Sequence, residues 1–292
     1  MHVSLQLPSF DYDDIRGSIA QIAKTVDEGG MYSMWVMDHF FQLGAPLLGP
    51  AENNMLEAYT TLGYIAGITE NIKLGTLVTG VIYRNPGLLT KIISTLDVLS
   101  NGRAYLGIGA AWYEREAKAL GFTYPSTSER FEWLEETLQI VHQMWDEGNN
   151  GPYNGEHFQL VETLNHPQPI SQPHPPIMIG GMGEQKTLRM VAQYADACNL
   201  FARAGIDVLT HKLDVLNQHC DAVGRNYADI EKTSLATAYA DDLDTSDKII
   251  ALCEELAGIG IEHVIFNMPE PEKLTNVHRL IKEVLPAVSQ MS

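Results

Sequence analysis

Apolar and polar positions along this chain follow a repeating two-part rhythm. A short apolar run is followed by a longer stretch whose apolar residues recur every three or four positions. Those are the spacings of a buried strand and of a one-faced helix. Residues 71–116 show the rhythm best. Residues 72–79 form an apolar, β-branched run that stops at Gly80. Asn85-Pro86 then opens a helix, where the missing proline N–H costs nothing. Leu88, Leu89, Ile92, Leu96 and Leu99 follow at helical spacing, Asn101-Gly102 closes the helix, and residues 104–109 are the next apolar run. Two parallel strands joined by a crossover helix make a βαβ unit.

The unit recurs. Strands are expected at residues 2–7, 34–37, 72–79, 104–109, 176–179, 197–201, 233–240 and 261–267. Helices are expected at 13–28, 56–68, 86–100, 115–121, 129–145, 184–194, 206–223, 245–256 and 272–288, with Thr127 or Ser128 capping the fifth. A loop at residues 41–54 carries Gly44, Pro46, Gly49 and Pro50. Eight strands, each followed by helix with no break in composition, predict an α/β fold: one (β/α)8 TIM barrel over residues 1–292, ahead of an open doubly wound sheet. Residues 148–176 break the rhythm with a hairpin signal at Asn154-Gly155 and Pro-rich coil. They read as an insertion over the barrel, of a length that often forms a lid.

Composition narrows the partners. Thirty-seven acidic residues against 19 basic give a formal charge of −18, which argues against general affinity for nucleic acid or anionic membranes. An anion can still be held locally by converging backbone N–H groups. Cys198, Cys220 and Cys253 show no CxxC or zinc spacing and suggest a reduced cytoplasmic protein. The first residues lack the pattern of a signal peptide, and no apolar run approaches the ~18 residues of a membrane span.

The strand ends carry the candidate chemistry, because ligands bind outside the carboxyl ends of such strands. The second ends in Asp38-His39, where an imidazole could donate a hydrogen bond or a proton near neutral pH. The fourth ends in Gly107-x-Gly109-x-x-Trp112. That lacks the third glycine of a dinucleotide fingerprint, and reads better as backbone approaching a flat ligand with Trp112 or Tyr113 free to stack. The fifth ends in Gly180-Gly181-Met182-Gly183 before a helix, an arrangement of bare N–H groups suited to phosphate, with Lys186 and Arg189 nearby. There is no HExxH, no GxSxG and no convincing nucleophilic cysteine. A phosphate loop without nucleophile or metal spacing points to a bound cofactor that carries the chemistry.

WVMDHF at residues 35–40, LGTLVTGVIYRNP at 74–86, GRAYLGIGAAWYERE at 102–116 and PPIMIGGMGEQKTLRMVAQYADACN at 175–199 resemble the luciferase-like monooxygenase superfamily over nearly the whole chain. GAAWYERE with IGGMGE resembles its branch of coenzyme F420-dependent oxidoreductases. The resemblance implies hydride transfer between the F420 deazaflavin C5 and a small organic substrate, in a homodimer. It puts His39, beside Asp38, near the cofactor ring. It implies a non-proline cis peptide at Thr76–Leu77 against that ring and Thr79 at its polar edge. Gly109, Ala110 and Ala111 would line the ribityl and phosphate region, Trp112 the pocket, and Gly180, Gly181, Met182 and Gly183 the phosphate. Trp112, Phe41 and the insertion from Pro152 to Pro176 would shape an apolar pocket. The Thr-Gly-Glu of F420-dependent sugar-phosphate dehydrogenases is replaced by Ala110-Ala111-Trp112, and a family tryptophan after Asp-His by Phe41-Gln42-Leu43. Glucose 6-phosphate oxidation is therefore not expected, and His39, Glu57 or a tyrosine is left to handle the proton. An FMN-dependent monooxygenase and a non-catalytic F420-binding protein are the alternatives.

Overall fold

The computed structural model describes residues 1–44 and 48–291; Pro46 of the expected loop lies outside the described residues. The strands are β1 (His2–Leu7), β2 (Ser33–Val36), β3 (Lys73–Thr76), β4 (Thr79–Gly80), β5 (Leu106–Gly109), β6 (Tyr153–Asn154), β7 (Gln159–Leu160), β8 (Ile177–Gly180), β9 (Ala197–Phe201), β10 (Glu231–Thr237) and β11 (His263–Asn267). The helices are α1 (Ile15–Glu28), α2 (Ala58–Ala66), α3 (Pro86–Leu99), α4 (Glu114–Ala119), α5 (Thr127–Met144), α6 (Thr187–Tyr194), α7 (Ile206–Val223), α8 (Ser246–Gly258), α9 (Thr275–Arg279) and α10 (Leu285–Val288).

Nine strands form one sheet in the order β3-β2-β1-β11-β10-β9-β8-β5-β4. Its two outer members are halves of one stave, broken at Leu77-Val78. The first half pairs with β2, the second with β5, and Leu74 bridges Ala104 across the seam. Eight staves therefore close into the expected TIM barrel. Parallel staves buried on both faces need apolar side chains on both, which is why they read as continuous runs. Trp35, Tyr105, Met178, Ala197 and Ile265 fill the barrel, and a larger apolar shell lies between staves and helices.

Caps set the helix boundaries. Asp14 accepts from Gly17 N, Asn85 from Gly87 N, and Thr245 from Lys248 N. The fifth helix starts at Thr127, earlier than expected, because the Ser126 hydroxyl accepts from Glu129 N. The sixth starts at Thr187, three residues late: Glu184 turns its carboxylate to Lys212 and His211 on α7. The expected last helix is interrupted by a short 3-10 turn at Pro271–Lys273 and a π-turn at Leu280–Val284.

The insertion corrects an expectation. It joins the end of α5 to the start of β8, which puts it on the side of the barrel opposite the mouth. Its bonds run to the outer faces of α3 and α5. Lys91 reaches the His166 carbonyl, Asp97 accepts from Ile170 N and Ser171 N at 2.8 and 2.9 Å, and Glu136 accepts from the N–H groups of Glu156, His157 and Phe158. Residues 153–171 brace the barrel wall and are not a lid over the rim.

Candidate active site

The rim at the ends of β2, β3, β4 and β5 is built in two tiers. The lower tier starts at Asp38, two residues past β2 and 1% exposed. Both its oxygens are taken by Arg84, with Nη1 donating to Oδ2 at 2.5 Å and Nη2 to Oδ1 at 3.0 Å. Arg84 also bonds Glu57, the N-cap of α2, and lies 4.5 Å above the Tyr59 ring. The Tyr59 hydroxyl is 2.5 Å from Thr79 Oγ1, which is 2.9 Å from Thr76 Oγ1, which donates to the Gly107 carbonyl at 3.0 Å. Burial pushes the Asp38 carboxyl up from its ordinary value, against the pull of Arg84, and pushes the Tyr59 phenol up as well. Thr76 and Thr79 are fully buried. Asp38, Thr76 and Thr79, expected at the ligand, are buried and bonded to protein groups in the floor beneath the rim.

The upper tier is His39 and what surrounds it. Its Nδ1 lies 2.5 Å from Glu116 Oε1 on α4. The other oxygen of Glu116 accepts from Phe40 N at 2.8 Å and Phe41 N at 3.1 Å, and Tyr83 donates its hydroxyl to Oε1. Desolvation works to raise the Glu116 carboxyl, but the bonds from His39, Tyr83 and Phe40 outweigh it and hold the group below its ordinary value. The His39 side chain is 12% exposed. Trp112 and Tyr113 stack on each other at 5.3 Å and meet the imidazole edge-on at 5.7 and 5.8 Å.

Between the tiers lies the broken stave. The cis peptide is Leu77–Val78, one bond past the expected Thr76–Leu77. The shift follows the pairing: Thr76 still pairs with β2 and the Leu77 N–H still reaches the Val36 carbonyl at 2.9 Å, so the interruption begins only beyond it. Leu77 and Val78 are half-exposed. The strand-end glycines are explained largely by this stave. A Cβ on Gly107 would fall 1.9 Å from the Thr76 carbonyl, and one on Gly109 or Gly180 would come within 3.1 or 3.0 Å of the Val78 methyls. The close approach read from the sequence is thus backbone against protein at Gly107 and Gly109, and Gly109 is buried. Beyond it, Ala111 takes the left-handed φ of 60°, and Arg130 donates to the Ala110 carbonyl at 3.1 Å.

The far side of the rim is backbone. Gly180, Gly181 and Met182 are half-exposed and Gly183 is exposed. Gly181 has a φ of +121°, a conformation that favours glycine, and its N–H donates to the Asn199 carbonyl at 3.2 Å. Among the described residues the N–H groups of Met182 and Gly183 meet no protein acceptor. Lys186 turns away to Ser128 Oγ at 3.0 Å. Of the residues read from the sequence, His39, Leu77, Ala110, Ala111, Trp112, Gly180, Gly181, Met182 and Gly183 are accessible around one rim. Glu116, Arg84, Tyr83, Tyr59 and Arg130 complete it and were not singled out. An Arg just before the helix-opening Asn-Pro, in a chain so short of cations, was the available signal for Arg84.

Fold and rim together define an α/β barrel whose open end is formed half by side chains and half by backbone amides. The chain matches the model of the luciferase-like monooxygenase family over residues 8–266 and belongs to that family. It is 31% identical over 220 residues to an F420-dependent glucose-6-phosphate dehydrogenase of Kineococcus radiotolerans. That alignment covers 74% of this chain and 62% of the relative, under two thirds of its length. Among solved structures it resembles an F420-dependent secondary alcohol dehydrogenase in complex with an F420-acetone adduct, with a TM-score of 0.82, 18% identity and 98% of each chain covered. It also resembles a riboflavin lyase holding a modified FMN, with a TM-score of 0.83, 12% identity and 99% and 91% covered. These likenesses at low identity show the fold.

Proposed function

We propose that this protein is an oxidoreductase that binds coenzyme F420 and moves a hydride to or from a small organic substrate. The observation that carries the reading is the accessible arc from His39 through Leu77-Val78 and Ala110–Trp112 to Gly180–Gly183. The small residues Ala110, Ala111, Gly180 and Gly181 share this arc with the half-exposed Leu77 and Val78, and the N–H groups of Met182 and Gly183, which meet no acceptor among the described residues, suit an anionic tail. The names of the F420-dependent relatives support the choice. When bound, F420 supplies a hydride donor or acceptor at its C5. The protein's part is to hold the tail on backbone amides, to wall the pocket with Trp112 and Tyr113, and to move a proton at His39. The acid/base carboxylate that the resemblance implies for sugar-phosphate dehydrogenases is absent from residues 110–112, which disfavours glucose 6-phosphate oxidation. The second reading, an FMN-dependent monooxygenase, is favoured by the FMN-holding structural neighbour. Absorbance titration with F420 and with FMN separates them. Tight FMN with oxygen uptake and no F420 binding would reject the F420 reading; F420 binding with no hydride exchange across alcohols, enones and imines would leave a carrier.

The same reading includes a homodimer. Leu88 (56% exposed) and Leu99 (74%) of α3 and Val161 (88%), Leu164 (55%) and Ile170 (47%) of the insertion are exposed, and the insertion is bonded to α3 through Ile170 N and Asp97. An exposed apolar ridge of this kind marks an interaction surface. Light scattering is expected to give a dimer, and Leu99→Glu a monomer; a wild-type monomer removes this part. Three buried free cysteines suit a cytoplasmic setting, and among the described residues no helix is long and apolar enough to cross a membrane.

A further inference from the structure

The partners of Glu116 fix which nitrogen of His39 carries the proton. Oε2 faces two backbone donors, Phe40 N and Phe41 N, and Oε1 faces the Tyr83 hydroxyl and His39 Nδ1. A carboxylate held below its ordinary pKa is ionised at neutral pH and can only accept. Nδ1 must therefore be the donor. In the neutral ring Nε2 then carries the lone pair, and it has no protein partner among the described residues and is not sealed off from solvent. We propose that Glu116 is a positioning residue that locks His39 in the Nδ1–H tautomer and presents Nε2 at the mouth as a proton acceptor. With the function proposed above, on which only this last step rests, the substrate's O–H proton passes to Nε2 as its C–H hydride leaves to the bound hydride acceptor. The C–O bond becomes a carbonyl, and the reverse reaction returns both.

The same geometry dictates what an isosteric change does. In Glu116→Gln the amide oxygen must stay opposite the two backbone N–H groups, since an NH2 there would meet two donors. The NH2 then faces His39 Nδ1 and the Tyr83 hydroxyl with one hydrogen for each. Nδ1 becomes an acceptor and the ring proton moves to Nε2. The carboxylate is thus what makes His39 a base; its shape alone is not enough.

Long-range 1H–15N NMR on imidazole-labelled protein without cofactor tests this, at a pH above histidine titration. Ten histidines share the spectrum, and the signals lost in His39→Gln identify the ring in question. Wild type is expected to show a protonated Nδ1 and a bare Nε2, and Glu116→Gln the opposite. A wild-type ring protonated at Nε2, or an unchanged tautomer in folded Glu116→Gln, overturns the proposal; if that variant does not fold, the wild-type spectrum decides. With F420 and a secondary alcohol, Glu116→Gln should lose about 10²–10³-fold in kcat at unchanged F420 affinity. Full kcat with an exchanged tautomer overturns the catalytic step. If wild type binds no F420, the proposed function falls while the NMR result still judges the lock.

Discussion

The barrel carries a histidine–glutamate pair at both ends, and the two differ in what meets the second ring nitrogen. At the mouth, His39 Nδ1 meets Glu116 at 2.5 Å; at the closed end, His263 Nδ1 meets Glu231 at 3.0 Å. Both glutamates sit below their ordinary pKa: desolvation works to raise them, and the histidine together with the other donors and charges around each carboxylate outweighs it. At the closed end the circuit is complete. His263 Nε2 lies 2.6 Å from Ser4 Oγ, which lies 2.6 Å from Ser33 Oγ, and the histidine is fully buried. Trp35 donates to the same Ser33 at 2.7 Å. At the mouth the circuit stops at Nε2. A histidine–carboxylate pair therefore says little about function by itself. A pair whose second nitrogen is occupied holds the fold, and one whose second nitrogen is free has a proton site to offer.

That contrast is open to direct attack. The largest expected effect is on turnover: His39→Ala should cut kcat about 10³-fold, ~4 kcal/mol of barrier, while costing at most ~1 kcal/mol of stability, since Glu116 keeps three other donors. His263→Ala should do the reverse. It strands buried polar partners and should cost about 2–3 kcal/mol in chemical denaturation, with kcat of the remaining folded protein little changed. Equal stability losses in the two variants would erase the distinction. Next in size is the far rim. Gly183→Asp puts a carboxylate among the bare amides, with only the Thr187 hydroxyl to be displaced, and should weaken F420 binding about 10–100-fold at unchanged melting temperature. Unchanged affinity would move the anionic tail elsewhere. The smallest effect is the acid response. The folded-state pKa values of Glu116 and Glu231 lie below the ordinary 4.5. Their stabilisation is therefore complete above about pH 4.5 and is lost as pH falls through the folded values. Denaturation followed from about pH 6 to about pH 3 should show a shallower loss in Glu116→Gln than in wild type. Parallel curves would mean that Glu116 is not ionised in the fold.

Much of the barrel was legible because its staves are buried on both faces and its helices on one, and burial leaves its period in the sequence. That His39 and the glycine loop would lie on the rim was legible because they fall at stave ends. The floor was not. Asp38, Thr76 and Thr79 sit at the same ends, but whether such a side chain meets a ligand or Arg84 and Tyr59 depends on contacts made across the rim. Glu116 was hidden for a similar reason. Glu114 and Glu116 are near neighbours on one short helix, yet Glu114 pairs with Lys118 in solvent while Glu116 is fully buried. The position of the insertion was available and overlooked: a segment leading from a helix into a strand belongs to the end of the barrel away from the mouth.

This mouth is proposed to take a deazaflavin and to exchange hydride with it beside a basic His39. The most direct measurement follows F420 absorbance during titration of purified protein and then on addition of a secondary alcohol. The account predicts saturable binding and bleaching of oxidised F420 in wild type, with binding but no bleaching in His39→Ala. Absence of F420 binding alongside tight FMN binding, or undiminished bleaching in His39→Ala, would contradict it.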